Sequence, residues 1–574
     1  MGIWYLNNGG RLALERSEIE ALQTKASWLL GIDWDIEGRR LVVKASIEAH
    51  GHVYSVKLTY PDFFPATPPF VTPVDAEERW SAHQYASGTL CLEWGPDNWH
   101  PDVTGAQLLE STFRLLETEN PLGTSKEHGV VASRHYLTPG QTLRNEIFRI
   151  HLANPIIDYL SKVGEKKIGY ATLTYVIDAG AIVYHLLQVN ENTNEQLPEP
   201  FIKSNLKEQY LLYRSTATPD QASKLKTIED LRELVKAQDN EALTLHTPNG
   251  TNVKGIILID RHGAPHVYYF SSEKMFEVAV VLDDSTSKRT PDYCVQLREK
   301  SVAIIGLGSV GSKVAESLCR VGLGKFYLVD EDLFLVGNLE RHALDWRNIG
   351  FHKVEAVAQK LRYISPLTNI ETLNVNLTGQ ESNVSVNQAM VKISECDLIV
   401  DATANGQVFN LLASVALDSK KPLLWAEVFA GGIGGLIARS RPGQDPSPQM
   451  MRRAYHQYTV ETPNFDRYTV PAPYTFETND GGVYIASDAD VSVIASHLTR
   501  LIADTAVNSD ESMFPYSMYL IGLSNGWIFS QPFDTKPIRT DHLLQEEEPS
   551  AVIDDETRFD NAAFLLRLVE RIDD

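Results

Sequence analysis

Three glycines with the spacing G-x-G-x-x-G stand between an apolar segment, SVAII (301–305), and an amphipathic one. They are Gly306, Gly308 and Gly311. Glycine lets the backbone approach a phosphate closely, and the N-terminus of a following helix supplies N–H donors and a positive dipole. Asp330 ends the next apolar segment about 20 residues later, where a carboxylate can bond ribose hydroxyls. The spacing predicts a nucleotide site, and this chemistry alone fits NAD as well as ATP.

Residues 328–361 carry polar side chains at a spacing that narrows the choice of nucleotide. The set is Asp330, Asp332, Asn338, Leu339, Arg341, Gly350 and Lys353. Its pattern, D-x-D-x-x-x-x-x-N-L-x-R followed by G-x-x-K, resembles the ThiF-type adenylation domain of ubiquitin-activating enzymes and bacterial sulfur-carrier relatives. The resemblance implies that the set binds ATP with Mg²⁺, with Asp330 on the ribose and Arg341 and Lys353 as catalytic cations on the triphosphate. A hydride-transfer enzyme has no use for such cations, so ATP is favoured over NAD.

This sequence lacks the carboxylate that binds the metal ion in relatives. Relatives commonly carry D-x-T-D-N after the next strand, and the second Asp holds Mg²⁺. Here the segment reads Asp401-Ala402-Thr403-Ala404-Asn405, with Ala404 at that position. Asp401 is then the nearest carboxylate for a hard cation that prefers oxygen ligands, and we expect the metal there.

A second candidate site surrounds Cys91. A cysteine on a turn-like segment with polar neighbours suits a nucleophile. The residues around it form a pattern over about 45 positions: Tyr60-Pro61, Pro68-Pro69, Gly88, Leu90, Cys91, Leu92, Trp99 and Pro101. This pattern resembles the ubiquitin-conjugating fold, which implies that Cys91 carries an acyl group as a thioester. The other cysteines are expected in the core: Cys294, Cys319 and Cys396.

The two resemblances assign two further positions. The conjugating family has an HPN tripeptide whose Asn lies eight residues before the Cys; His83 stands there and is expected to bond the oxyanion or act as a base for an incoming amine. Ubiquitin-activating relatives carry a second Cys in a late loop, where this chain has Thr478. Three routes stay open: Cys91 attacks the adenylate directly, Thr478 forms an oxyester, or the loop departs from its natural sequence.

The pattern of predicted helices and strands divides the chain into four parts, which position these residues. They are a ubiquitin-conjugating-like α+β domain (1–150), a mixed α/β connecting domain (151–294), a Rossmann-like α/β ThiF adenylation domain (295–540) and an acidic tail (541–574). In the third part, short all-apolar runs alternate with amphipathic helices, a pattern typical of buried parallel strands in βαβ units. The tail ends in an amphipathic helix predicted over 561–572.

Composition excludes several classes of protein. The 574 residues include 52 Lys and Arg against 75 Asp and Glu, and the net charge of −23 argues against a nucleic-acid partner. No apolar run reaches the ~18 residues of a membrane span, and no basic region precedes an apolar one at the N-terminus. Four scattered cysteines without a CxxC pair predict neither a disulfide framework nor a zinc site. We therefore expect a cytoplasmic protein without a membrane partner.

Both resemblances occur in one chain, conjugating part first and adenylating part last. This order is similar to bacterial fusion proteins of CBASS-type and related antiviral operons. It implies a homodimer that activates the glycine-type C-terminal carboxylate of a cyclic-nucleotide synthase or ubiquitin-like protein, transfers it to Cys91 and ligates it to a lysine of a target. Two alternatives stay open: a sulfur-carrier adenylyltransferase, for which Cys91 is dispensable, and a pseudo-enzyme scaffold that binds the partner tail without chemistry.

Overall fold

The computed structural model describes most of the chain, in two compact units, Met1–Arg144 and Asn145–Asp574. The described residues are 3–75, 77–81, 84–85, 87–123, 138–161, 168–190, 192–194, 197–239, 243–282, 290–462, 475–477, 483–508, 511–545 and 555–569. No helix among these ranges is long and apolar enough to cross a membrane.

The first unit is built on an antiparallel sheet with the strand order β1-β2-β3-β4. Its strands are β1 (Leu29–Glu37), β2 (Arg40–Ala49), β3 (His52–Thr59) and β4 (Phe70–Pro73), and its helices are α1 (Trp4–Asn7), α2 (Gly9–Lys25), α3 (Gly105–Glu119) and α4 (Pro139–Thr142). Val43, Ala45 and Ile47 alternate along β2 and face the core, because successive side chains of a strand point to opposite faces. They share this core with Ile19 of α2 and Leu108 of α3, so both helices pack on the sheet.

The second unit begins with a sheet that closes on itself. Its strands are β5 (Phe148–Leu152), β6 (Ile168–Asp178), β7 (Ala181–Val189), β8 (Asn192–Thr193), β9 (Lys207–Arg214), β10 (Gly255–Ile259), β11 (Pro265–Ser271) and β12 (Lys274–Leu282). The order is β5-β12-β11-β10-β9-β6-β7-β8, and β5 pairs with both β12 and β7, so seven strands form a ring. The accompanying helices are α5 (Asn154–Ser161), α6 (Glu199–Ile202), α7 (Pro219–Ser223), α8 (Ile228–Asp239) and α9 (Cys294–Leu297).

The remaining part is an α/β sheet with the order β15-β14-β13-β16-β17-β18-β21-β22. Its strands are β13 (Ser301–Ile305), β14 (Lys325–Val329), β15 (Asn369–Leu373), β16 (Leu398–Asp401), β17 (Leu423–Phe429), β18 (Gly434–Ser440), β21 (Met518–Gly522) and β22 (Thr535–Pro537), with a separate hairpin of β19 (Thr475–Glu477) and β20 (Val483–Ile485). Its helices are α10 (Ser309–Arg320), α11 (Lys353–Ile364), α12 (Asn383–Glu395), α13 (Gly406–Ser419), α14 (Pro448–Glu461), α15 (Asp488–Val507) and α16 (Asp555–Val569). Strands β13 to β17 are parallel, which confirms the predicted α/β architecture here.

The two compact units meet at residues 144 and 145, while the predicted boundaries at 150 and 294 stay predictions. Strand β5 begins at Phe148 and belongs to the ring, so the first unit ends at Arg144. The ring and the α/β sheet form one compact unit because α6 packs against α11. Arg362 pairs with Glu199 at 3.2 Å. The final helix lies over Asp555–Val569, earlier than the predicted 561–572.

Candidate nucleotide and thiol sites

A cleft of about 260 Å³ opens at the carboxyl ends of β13, β14, β15 and β16. Its lining comes from the loops that follow these strands: Ile305, Gly306, Gly308, Val329, Asp330, Glu331, Asp332, Lys353, Val375, Asn376, Leu377, Thr378, Ala402, Thr403, Asn405 and Val408. Strand β13 has β14 on one side and β16 on the other, so the chain changes direction across the sheet at this point. Open α/β sheets bind ligands at such a crevice.

The three glycines of the loop differ in what a side chain at each position would contact. Gly306 has φ +86°, and a Cβ on it would lie 2.9 Å from the backbone of Ala402. A Cβ on Gly311 would collide with the carbonyl oxygen of Gly306, so Gly311 allows α10 to pack closely on β13. Gly308 lines the cleft and has open space where a side chain would be. Because α10 begins at Ser309, its free N–H groups start beside this open position.

Asp330 organises the loop as well as lining the cleft. Its Oδ2 accepts a hydrogen bond from the N–H of Leu307 at 2.6 Å, and its Oδ1 accepts one from the N–H of Asp332 at 2.8 Å. Burial raises the pKa of Asp330, while these two bonds and the nearby Lys353 oppose the rise. The carboxylate is therefore fixed at the cleft by the backbone.

Lys353 is the cation that faces the cleft. It is the first residue of α11 and is 6% exposed. Its Nζ donates to Oδ2 of Asp332 at 2.7 Å, and the Asp332 side chain is itself exposed. The structure thus brings the glycine loop, Asp330, Asp332 and Lys353 together.

Two polar residues of the same motif, Asn338 and Arg341, do not line the cleft. Oδ1 of Asn338 accepts a hydrogen bond from the N–H of Leu335 at 2.8 Å and shapes a short 3₁₀ turn. The guanidinium of Arg341 reaches the carbonyl of Ala486 at 3.5 Å, just before α15. Both assignments to ATP stay predictions.

The predicted metal residue Asp401 ends β16 and is buried outside the residues that line the cleft. Its Oδ1 accepts hydrogen bonds from the N–H of Thr403 at 2.9 Å and from Oγ1 of Thr403 at 2.6 Å. Burial raises the pKa of Asp401. Within the described ranges, no group of three or more His, Cys, Asp or Glu residues could hold a metal ion. Ala404 has φ +54°, a conformation that Asn and Asp adopt more readily than Ala.

The sequence analysis did not single out two residues that line the cleft, Glu331 and Asn376, or His342, which contacts the glycine loop. Nδ2 of Asn376 donates to Oε1 of Glu331 at 2.5 Å, and both residues line the cleft after β15 and β14. His342 directly follows Arg341 and contacts the glycine loop through Leu307. The available signals were that Asn376 follows a strand and that His342 lies inside the recognised motif.

Cys91 lies beside a tight turn in the first unit. Gln84 and Leu90 form an antiparallel bridge, and the N–H of Gly88 donates to the carbonyl of Tyr85 at 2.8 Å to close the turn. Leu90 and Leu92 are buried, whereas Cys91 between them is half-buried. The hydroxyl of Tyr85 lies 3.7 Å from Sγ of Cys91, and Tyr85 is 51% exposed. Tyr85 is a neighbour that the sequence did not single out.

The remaining candidate residues are His83, Thr478 and the three other cysteines. His83 and Thr478 lie outside the described residues. The other three cysteines are buried, as expected: Cys294, Cys319 and Cys396. Burial raises the pKa of Cys319 and of Cys396 to about 11, which disfavours the reactive thiolate. Cys91 is thus the only one of the four cysteines that is not buried.

Comparison with known proteins identifies the region that carries the cleft. Residues 286–470 match the ThiF family. Ubiquitin-like modifier-activating enzyme 5 of Culex quinquefasciatus is 45% identical over 156 residues, 26% of this chain and 39% of that protein. The ATP-dependent ubiquitin transferase-like protein Cap2 of Enterobacter hormaechei subsp. hoffmannii is 35% identical over 125 residues, 22% of this chain and 20% of that protein.

A similar solved structure is that of Escherichia coli MccB with ATP, at 16% identity and a TM-score of 0.33, over 43% of this chain and 66% of that one. This chain spans less than half the length of the curated relatives named above. The family match covers the glycine loop, Asp330, Lys353 and the five parallel strands β13 to β17. The C-terminal region of this protein therefore contains a ThiF domain with a Rossmann-like adenylation fold.

Proposed function

We propose that this protein uses ATP to activate the C-terminal carboxylate of a protein partner as an acyl adenylate. The observation that carries the proposal is the cleft, which joins the glycine loop, Asp330 and Lys353 at the carboxyl edge of the sheet. The N-terminus of α10 and the Lys353 ammonium both favour negative charge there. A buried cation that lines the cleft supports a triphosphate better than a hydride carrier.

The reaction that fits this arrangement is displacement at the α-phosphorus. A carboxylate oxygen of the partner bonds to phosphorus, the bond to the bridging oxygen breaks, and pyrophosphate leaves. Lys353 stabilises the charge that accumulates on the leaving phosphates, and Asp330 anchors the ribose. Mg²⁺ would arrive with the phosphates and gather charge on pyrophosphate. The carboxylates that face the cleft are Asp330, Glu331 and Asp332, while Asp401 stays a candidate ligand.

The second half of the proposal is transfer of the acyl group to Cys91. The thiolate of Cys91 attacks the acyl carbonyl and AMP leaves, which gives a thioester. A lysine amine of a target then attacks the same carbonyl, and the thiolate is released. The half-buried position of Cys91 and the burial of the other three cysteines support Cys91 as the nucleophile. Thr478 and His83 keep their proposed roles as an alternative nucleophile and as an aid to aminolysis.

We place this chemistry in bacterial antiviral defence, with a cyclic-nucleotide synthase or a ubiquitin-like protein as the activated partner. The similarity to Cap2, whose name describes an ATP-dependent ubiquitin transferase-like protein, supports ATP-dependent transfer chemistry within this proposal. A homodimer is part of the proposal. Two segments joined by backbone hydrogen bonds, 334–336 and 346–351, carry exposed apolar side chains that suit a contact between subunits: Leu335, Val336, Trp346 and Phe351.

Intact mass measurement tests both halves of the proposal. The full chain is incubated with Mg-ATP and the synthase or ubiquitin-like protein encoded beside it, and each sample is divided between buffers with and without dithiothreitol. We expect an adduct of the partner's mass that dithiothreitol removes and that Cys91→Ala abolishes. Cys396→Ala is the matched control, because it removes a buried thiol and should leave the adduct in place.

The other outcomes separate the alternatives. An adduct that resists dithiothreitol but yields to hydroxylamine would assign the acyl group to a hydroxyl, with Thr478 examined first. Formation of AMP and pyrophosphate without any adduct would contradict the role of Cys91 and favour a sulfur-carrier adenylyltransferase. No adduct and no AMP would overturn the enzymatic proposal.

A pseudo-enzyme that binds the partner tail is the second candidate, and Ala404 favours it. The backbone there keeps φ +54°, which suits Asp, but the carboxylate is missing. Ala404→Asp should therefore fold at least as stably as the parent chain. Release of pyrophosphate by this variant, but not by the parent, would establish the second candidate.

A further inference from the structure

His342 is held in the core of the ThiF domain by two hydrogen bonds of opposite sense. It is 8% exposed and packs against the ring of Phe334. The N–H of Leu344 donates to Nδ1 of His342 at 3.1 Å, and Nε2 lies 2.7 Å from the carbonyl oxygen of Leu307. A carbonyl only accepts, so Nε2 carries the proton and Nδ1 carries the lone pair. The ring is therefore neutral and locked in one tautomer.

The carbonyl that His342 binds belongs to the glycine loop. Leu307 lies between Gly306 and Gly308, and its own N–H donates to Asp330 at 2.6 Å. Leu307 is thus held on both sides, by a carboxylate at its N–H and by an imidazole at its carbonyl. These two bonds fix the rotation of the peptides on either side of Leu307.

The direction of the next N–H follows from peptide geometry. In a planar trans peptide the carbonyl and the N–H point in opposite directions. Because the Leu307 carbonyl points to His342, the N–H of Gly308 points away from His342. Gly308 lines the cleft, and its N–H has no acceptor within the described part of the chain. An N–H group that lines an open cleft and has no acceptor in the protein can donate to an oxygen atom of a bound ligand.

We infer that His342 is a positioning residue for nucleotide phosphate: it orients the Leu307–Gly308 peptide so that the Gly308 N–H is presented to a phosphate oxygen. His342 itself touches neither the phosphate nor the reacting atoms. The inference deepens the proposed function, since it rests on ATP as the nucleotide in the cleft.

Two substitutions separate the two hydrogen bonds of the imidazole. The amide nitrogen of Gln reaches the place of Nε2, so His342→Gln keeps a donor for Leu307 and loses the acceptor for Leu344. The shorter Asn places its amide at Nδ1, so His342→Asn keeps the acceptor for Leu344 and loses the donor for Leu307. Each variant loses one hydrogen bond and some ring volume, so their nucleotide-free thermal midpoints should be similar.

The dissociation constants of ATP and of adenosine, measured by calorimetry on the full chain, test the inference. We expect His342→Gln to bind ATP within threefold of the parent chain and His342→Asn to bind it at least tenfold more weakly. Adenosine, which lacks phosphate, should bind both variants alike. His342→Asn that binds ATP within threefold of the parent, or that loses ATP and adenosine equally, would overturn the positioning role. A parent chain that binds no ATP would overturn the proposed function and this inference with it.

Discussion

The ammonium of Lys353 lies 2.7 Å from the carboxylate of Asp332 at the cleft that we propose binds ATP. The two partners differ in environment, because Lys353 is buried and Asp332 is exposed to solvent. An ion pair with one partner in solvent contributes at most about 1 kcal/mol to stability. The lysine is therefore kept in place before a nucleotide binds, by a contact weak enough for a phosphate to replace.

Lys353→Met should weaken nucleotide binding and leave the stability of the protein nearly unchanged. The stem length is kept and the charge is lost, so a charge-assisted hydrogen bond of roughly 1.5–3 kcal/mol to phosphate disappears. We expect the dissociation constant of ATP to rise at least tenfold, with little change in the thermal midpoint. Lys325→Met, at the exposed start of β14 and the opposite edge of the sheet, is the control and should bind ATP normally. Equal affinity in the two variants would contradict the role of Lys353.

Alanine substitutions of two loop glycines should have different effects, one on stability and the other on ATP binding. Gly311→Ala places a methyl group against the Gly306 carbonyl, and the overpacking should lower the free energy of unfolding by about 1–3 kcal/mol. Gly308→Ala meets open space, so its stability should stay near that of the parent while ATP binding weakens. Denaturant titration and ATP binding measured on the same samples check both expectations. A stable Gly311→Ala variant would show that α10 can shift away from β13.

Tyr85→Phe should slow the discharge of the proposed thioester. The phenol hydroxyl lies 3.7 Å from Sγ of Cys91 and can donate to the sulfur as it regains charge. A hydrogen bond of about 1 kcal/mol corresponds to a several-fold slower reaction with a lysine amine. Release of pyrophosphate in the first turnover should not change, because it accompanies formation of the adenylate in the other unit. Tyr5→Phe removes a phenol hydroxyl elsewhere in the first unit and should react at the parent rate. If the two variants discharge at the same rate, Tyr85 has no part in the step.

Acid should destabilise the protein through His342. Burial lowers the pKa of His342 from 6.5 to about 4 in the folded chain. Between these values the unfolded chain takes up a proton that the folded chain excludes, so stability falls as pH drops from about 6.5 toward 4. At pH 5 the loss is about 2 kcal/mol. The free energy of unfolding of the parent should therefore fall more between pH 7.5 and pH 5 than that of His342→Gln. Identical slopes for the two chains would contradict this assignment.

The parallel sheet could be predicted because β13, β14 and β16 are buried on both faces and appear as continuous apolar runs. Strand β15, N-I-E-T-L, was missed because it is the edge strand and alternates exposed and buried residues. Without it, Asn376 had no predicted place in the cleft. Arg341 fits the motif by spacing, yet its guanidinium reaches the carbonyl of Ala486, 145 residues further along the chain. The spacing of residues within a motif does not predict contacts between residues so distant in sequence.

The seven-strand ring has a consequence for the order of synthesis. Strand β5 is the first strand of the second unit, and Arg149 pairs with Ala279 of β12, the last strand of the ring. Bringing such distant segments together has an entropic cost that the pairing alone must offset. During translation, β5 must therefore wait until residues beyond 282 have left the ribosome before both of its edges are paired. The ring therefore closes only after its last strand has been made, and a chain that ends anywhere inside it exposes unpaired strand edges that favour aggregation.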